Sequence, residues 1–353
     1  MNMIKDVLAL ARKNILQLEP YSSARSEFTG TASLFLDANE NAFAEKAGEN
    51  SYARYPDPMQ SQLKEKIKEL KQVSAGQVFI GNGSDEAIDL LFRIFCEPGQ
   101  DKVMICPPTY GMYGVCARIN NVEVVEVPLL SGFRPDTAGI MQAAEAGVKL
   151  LFLCSPNNPT GNNMPGEDMD FLLRNFPGIV VIDEAYADFS PGSSKLSGLG
   201  QYPNLVILQT LSKAWGMAAL RLGMAFASEN IISLFNKVKP PYNISGASQQ
   251  AALEALENTG YIRNDIGAVI EQREIVARQL TVLPFVRQVF PSNANFLLVK
   301  VNDADQLYRY LCDKGIVVRN RNRETGCENC LRITIGTASQ NQQLIKILQT
   351  YER

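Results

Sequence analysis

The 353-residue chain contains no histidine, and that absence removes whole classes of chemistry. Without an imidazole there is no Ser-His-Asp or Cys-His nucleophile and no histidine-ligated metal. Proton transfer then falls to lysine, carboxylate, tyrosine or cysteine. Long apolar runs are missing too: no window approaches the roughly 18 residues that a membrane-spanning helix requires. The opening MNMIKDVLALARKNILQL has helical spacing interrupted by charges and no cleavage pattern, which argues against a secretory signal. A basic excess is also absent. With 34 Lys plus Arg against 37 Asp plus Glu, the net charge of −3 leaves no electrostatic footprint for nucleic acid. Seven cysteines, odd in number and scattered, do not resemble a disulfide framework. The expectation is a cytoplasmic protein with no membrane or nucleic-acid partner.

What is present is the balance of an ordinary globular chain, 46% hydrophobic and 20% charged, long enough for two compact units. Apolar strand-like runs alternate with helical patterns through QVFIGN, DKVMICPP, NVEVVEVPL, KLLFLCSP, GIVVIDEAY, NLVILQT and RLGMAFA. Several do not alternate with period two, as expected of strands buried on both faces of a mostly parallel sheet flanked by helices. The fold class predicted is therefore α/β, with that large domain over residues 36–240. The paired prolines of VKPPYNIS mark its end, and a smaller α+β domain, 241–353, follows in the order β-α-β-β-α. Residues 1–35 form an N-terminal segment expected to pack on the smaller domain and the substrate entrance. Cys327 and Cys330 in GCENC have metal-knuckle spacing with no matching second pair, so a surface loop without metal is expected.

Five stretches can carry chemistry. GNGSDEAIDLLFRIF opens a helix at a strand end, with Ser84 and Asp85 suited either to capping or to a phosphate held on free backbone N–H groups. SPNNPTG follows a strand directly and aims Asn157 from its carboxyl end, where open α/β sheets bind ligands. VVIDEAY places Asp183, Glu184 and Tyr186 at another strand end, where a carboxylate must be solvated, paired or engaged with a cationic ligand atom. A magnesium-binding aspartate of a nucleotide-binding module is the competing reading, weakened by the missing P-loop lysine-serine pair. TLSKAWGMAALRLG sets Lys213 against small and apolar neighbours, the dry setting that frees a nucleophilic amine. Arg221 in the same stretch, and Arg332 opening LRITIG, offer rigid charged forks for phosphate or carboxylate.

In chain order GNGSDE, PPTYGMY, SPNNPTG, VIDEAY, TLSKAWGMAALRLG and CLRITIGT resemble the pyridoxal-phosphate aminotransferases of fold type I, nearest the branch acting on histidinol phosphate. The resemblance runs from LDANENAF at 36–43 to 337. It implies pyridoxal 5′-phosphate as cofactor, Lys213 as its covalent anchor and proton carrier, and Asp183 as partner of the pyridine nitrogen. It further implies Asn157 and Tyr186 on the ring oxygen and Tyr110 stacked on the ring. Ser84, Asp85, Ser212 and Arg221 would hold the cofactor phosphate, with Thr210 beside them. Tyr55 would reach that phosphate from a second subunit, making a homodimer with active sites at its interface. Arg332 would hold the substrate's anionic end, assisted by Arg319, with Arg321 and Arg323 open as alternatives; Tyr21 would close over the substrate. The implied reaction moves an amino group from the phosphorylated amine L-histidinol phosphate to 2-oxoglutarate in histidine biosynthesis. Threonine-phosphate decarboxylase and an aromatic aminotransferase are the alternatives within the fold. Two departures stand out: SSARSEF replaces a Pro-Gly element after Tyr21, which unsettles the lid reading, and Trp215 replaces a phenylalanine.

Overall fold

The computed structural model describes residues 6–21, 34, 36–41, 43, 52–257 and 259–351. The expected lid stretch SSARSEF lies outside the described residues.

Seven strands form the larger sheet: β1 (Val78–Asn82), β2 (Lys102–Ile105), β3 (Glu123–Glu126), β4 (Val148–Cys154), β5 (Ile179–Asp183), β6 (Leu205–Thr210) and β7 (Leu222–Ala227). Their order is β1-β7-β6-β5-β4-β2-β3. All run parallel except β7, which is antiparallel to both neighbours. The unbroken apolar runs have a direct cause. Val180, Ile182, Leu205 and Ile207 bury into the core on one face, whereas Val181, Val206 and Leu208 bury into the core on the other. Each such buried aliphatic side chain contributes about 2 kcal/mol.

The smaller sheet is antiparallel, in the order β10-β11-β9-β8, with β8 at Val286–Val289, β9 at Phe296–Val301, β10 at Arg319–Asn320 and β11 at Cys330–Thr334. The sequence pattern missed β8, whose VRQV is only half-buried, and IVVRN contributes just two paired residues.

Packing corrects three expectations. Val7, Ala11 and Ile15 bury into the larger domain's core beneath the helix Gly83–Phe95, so this part of the N-terminal segment does not pack on the smaller domain. Arg12 fixes it there, donating to Glu97 at 2.9 Å. The break expected at 240 lies too early: Ile244, Ala252, Leu256 and Ile262 belong to the larger core, and the smaller core begins with Val276. The helix Thr259–Thr281 crosses between the two. The GCENC loop is not a plain surface loop either: Gly326 and Glu328 are exposed, but Cys327 and Cys330 are buried against Leu298. Among the described residues no metal-holding cluster occurs, and no helix is long and apolar enough to cross a membrane.

Candidate active site

Register brings the chemistry to one edge of the larger sheet. Asn82 of β1 pairs with Leu222, Thr210 of β6 with Gly223, and Cys154 of β4 with Asp183 of β5. The carboxyl ends of the parallel strands and the start of β7 thus form one row. The smaller sheet closes over it, and a cavity of about 370 Å³ lies between them. Ser84, Asp85, Tyr110, Asp183, Tyr186, Thr210, Ser212, Lys213 and Arg221 line it from the larger domain, and Arg319, Arg321 and Arg332 from the smaller.

At one end sits the N-terminus of the helix Gly83–Phe95, whose N-cap residue Asn82 makes no side-chain cap. The Gly83 N–H donates to the Arg221 carbonyl at 2.6 Å, and the N–H groups that follow in this first turn, which lack an intrahelical acceptor, can meet an anion at the positive end of the helix dipole. Gly83 has φ +70°, and a Cβ on Gly223 would lie 2.1 Å from the Ser84 nitrogen. Bare glycine at both places is what lets β7 pass this close. Arg221 reaches the same spot from a left-handed φ of +54°, with Nη2 3.4 Å from Asp85 Oδ2. Thr210 and Ser212 meet across 3.0 Å.

Asp183 is the buried carboxylate of the site. Burial raises its pKa; the Tyr113 hydroxyl, donating to Oδ2 at 2.6 Å, and the Ala185 N–H, donating to Oδ1 at 3.0 Å, pull it back without cancelling that rise. Glu184, its neighbour, turns away and accepts from Ser194, the Lys195 N–H and Gln209. Lys213 is exposed on the cavity wall, yet the protein around it desolvates its ammonium and lowers its pKa, with Arg332 adding to the effect. Its Nζ stands 5.7 Å from the Tyr186 ring centroid. The Tyr110 hydroxyl donates to Asp85 at 3.1 Å, and its ring meets Tyr113 edge-on.

Three expected residues lie elsewhere. The side chain of Asn157 is buried away from the cavity, donating to the Pro108 carbonyl at 2.9 Å and to Thr160 at 2.7 Å. It braces the turn, and its neighbour Asn158 takes the place on the cavity wall, because consecutive residues of this tight turn face opposite ways. Asn158 Nδ2 donates to the Tyr186 hydroxyl at 3.4 Å, and its Oδ1 accepts from Arg332. Tyr21 is 74% exposed and does not line the cavity. Tyr55 stacks on Tyr242 at 4.5 Å in a separate, open cleft of about 820 Å³. Of the alternative arginines, Arg323 is exposed and away from the wall. Sequence reasoning passed over Tyr113, although it stands in the motif PPTYGMY three residues after Tyr110, and Asn158, the second asparagine of SPNNPTG.

The family model described as Aminotransferase class I and II matches residues 30–348. The chain belongs to the class I and II aminotransferases. Within that family it is 50% identical to a histidinol-phosphate aminotransferase of Flavobacterium johnsoniae over 347 residues, covering 98% of each chain. It is also 50% identical to one of Bacteroides fragilis over 350 residues, 99% of this chain and 100% of that one. Among solved structures, the histidinol-phosphate aminotransferase of Sinorhizobium meliloti in complex with pyridoxal-5′-phosphate shares the aminotransferase fold. Its TM-score is 0.78 at 23% identity, over 88% of this chain and 89% of that one.

Proposed function

We propose that the chain is a pyridoxal-phosphate-dependent aminotransferase of histidine biosynthesis. It converts L-histidinol phosphate and 2-oxoglutarate to imidazole acetol phosphate and L-glutamate, as a cytoplasmic homodimer. The observation that carries the reading is the meeting, in one cavity, of a lysine, a buried carboxylate and four arginines.

The residues present fit the cofactor. A carboxylate buried this deeply needs a proton or a cationic partner, and a protonated pyridine nitrogen provides one. The glycine-bordered helix N-terminus suits a phosphate, and the orphaned Nε atoms of Arg321 and Arg332, buried without partners, suit a second anion. When bound, pyridoxal phosphate supplies the carbonyl that takes up the amino group and a ring that withdraws electrons. Lys213 would hold it covalently and then, as a free amine of lowered pKa, carry the proton at the substrate α-carbon. Asp183, oriented by Tyr113, would keep the ring nitrogen protonated. Asn158 and Tyr186 would hydrogen-bond the ring oxygen, Tyr110 would cover the ring face, and Ser84, Asp85, Ser212 and Arg221 would hold the phosphate. Arg332 and Arg319 would orient the substrate by its distal anion, and Tyr55 would arrive from the second subunit. Metal-dependent nucleotide binding is the poorer reading, since GNGSDE lacks the P-loop lysine-serine pair and no cluster of metal-ligating side chains occurs among the described residues.

The test is turnover of a panel of amino donors by the purified protein with added cofactor. Histidinol phosphate should yield glutamate in a 1:1 ratio to consumed 2-oxoglutarate by stoichiometry, and Lys213→Ala should lower the rate by about 1,000-fold or more. Carbon dioxide release from threonine phosphate, or faster turnover of aromatic amino acids, would reassign the substrate. Undiminished covalent trapping of the cofactor by borohydride in Lys213→Ala would refute the anchor.

A further inference from the structure

Arg319, Arg321 and Arg332 share one wall of the cavity. The ladder explains the crowding: Arg319 of β10 stands directly opposite Arg332 of β11, and the Arg321 N–H continues the pairing to the Cys330 carbonyl at 2.9 Å. Among the described residues a single carboxylate forms an ion pair with any of them. Glu324 accepts from Arg321 Nη1, and its own N–H returns to the Arg321 carbonyl at 2.9 Å, so a short turn holds the pair together. Arg321 Nη2 lies 3.5 Å from Asn158 Oδ1, the same oxygen that accepts from Arg332 Nη1. Arg321 Nε, Arg332 Nε and Glu324 Oε2 are buried with no partner. The wall therefore holds two guanidiniums without an acidic partner and one that is partly neutralised, with donor hydrogens to spare.

We propose that Arg321 is a third contact for a phosphate monoester, and that Glu324 sets the strength of its grip. The inference rests on the reading of this wall as the holder of the substrate's distal anion. A phosphate monoester carries about −1.5 to −2 charge and three peripheral oxygens, whereas a carboxylate carries a single charge on two. Arg319 and Arg332 match the charge of either group well enough to hold it. The third guanidinium adds a contact that only the phosphate's extra oxygen can use, and its pairing with Glu324 keeps a full third charge from holding the phosphorylated product too tightly to leave.

Binding of inorganic phosphate and of glutarate to the holoenzyme, measured by calorimetry, tests this without relying on any substrate. Using the holoenzyme matters because the cofactor's own phosphate keeps inorganic phosphate off the helix N-terminus. Arg321→Gln should weaken phosphate by about 10-fold or more and glutarate by less than about 3-fold. Glu324→Gln keeps an acceptor for Arg321 but removes the charge, and should tighten phosphate by about 3- to 10-fold. Opposite signs from the two members of one pair are what a merely structural clamp would not produce. Weakening of both ligands by both variants, or no change in either, overturns the proposal. If wild type fails to turn over histidinol phosphate while these opposite shifts appear, the role of the pair stands and the substrate assignment falls.

Discussion

Asp183 ends an apolar strand with its carboxylate out of reach of bulk water, and the energetic consequence can be measured. Its pKa is raised above the ordinary 3.8 by burial, so the folded chain holds that proton more tightly than the unfolded one. Stability therefore declines as pH rises from about 3.8 through the folded-state pKa, and the whole penalty is present above it. Asp183→Asn removes the charge and keeps one acceptor, for the Ala185 N–H, while its amide NH2 can donate to the Tyr113 hydroxyl oxygen. The cofactor-free variant should melt no lower than wild type at pH 7, and this advantage should shrink as the pH falls towards 3.8. Activity should fall by about 100-fold or more. A large loss of melting temperature at pH 7 would mean that the carboxylate is stabilising the fold. At this scale the sequence was most informative, since Asp183 ends β5 and Lys213 follows the end of β6, strand ends that hydrophobic patterning reveals, whereas Arg332, expected to open its strand, sits in the middle of β11. It misled at SPNNPTG, where both asparagines are equally polar and only the turn's geometry sends Asn157 inward to Pro108 and Asn158 to the cavity.

At the scale of elements, the site depends on how closely β7 passes the start of the helix Gly83–Phe95. Gly223 pairs with both Gly81 and Thr210, and an added Cβ would strike the backbone of Gly83 and Ser84 rather than a side chain that could move. Gly223→Ala should cost about 2 kcal/mol of stability and weaken cofactor binding by about 10-fold or more, read by thermal melting and by titration of the cofactor-free protein. Gly260, in the helix Thr259–Thr281, has open space around its Cβ position and no positive φ. Gly260→Ala should be neutral or stabilising by about 0.5–1 kcal/mol, which controls for a general effect of the substitution. Elements were legible wherever burial on both faces made a run continuous, as in β4, β5 and β6. β8 escaped notice because its VRQV offers no run of buried residues for a pattern to follow.

At the scale of the whole molecule, Tyr55 lies outside the cavity of its own chain, half-exposed and stacked on Tyr242 beside an open cleft. Its assignment to the cofactor phosphate therefore requires a second copy of the chain, and complementation can test it. Lys213→Ala and Tyr55→Ala should each be poorly active alone, whereas mixed dimers of the two should recover activity. One site of such a dimer carries both lesions, and the other carries neither. Absence of recovery in demonstrably mixed dimers, checked by mass spectrometry of the intact assembly, would place the action of Tyr55 within its own chain.

The sequence by itself narrowed the chemistry: with no histidine, proton transfer is left to lysine, carboxylate, tyrosine or cysteine, and apolar runs ending in Asp183 and Thr210 place polar groups where strands must stop. It also determined the alternation of strands and helices, because burial on two faces demands continuous apolar segments. Tertiary structure decided which groups meet. The opposition of Arg319 to Arg332 follows from strand register, and the contact of Tyr113 with Asp183 joins residues 70 positions apart. The docking of Val7, Ala11 and Ile15 on the larger domain likewise follows from which surface was available to cover. Local patterning encodes what each segment must bury, but the partners it buries against are fixed only when distant segments compete for the same core.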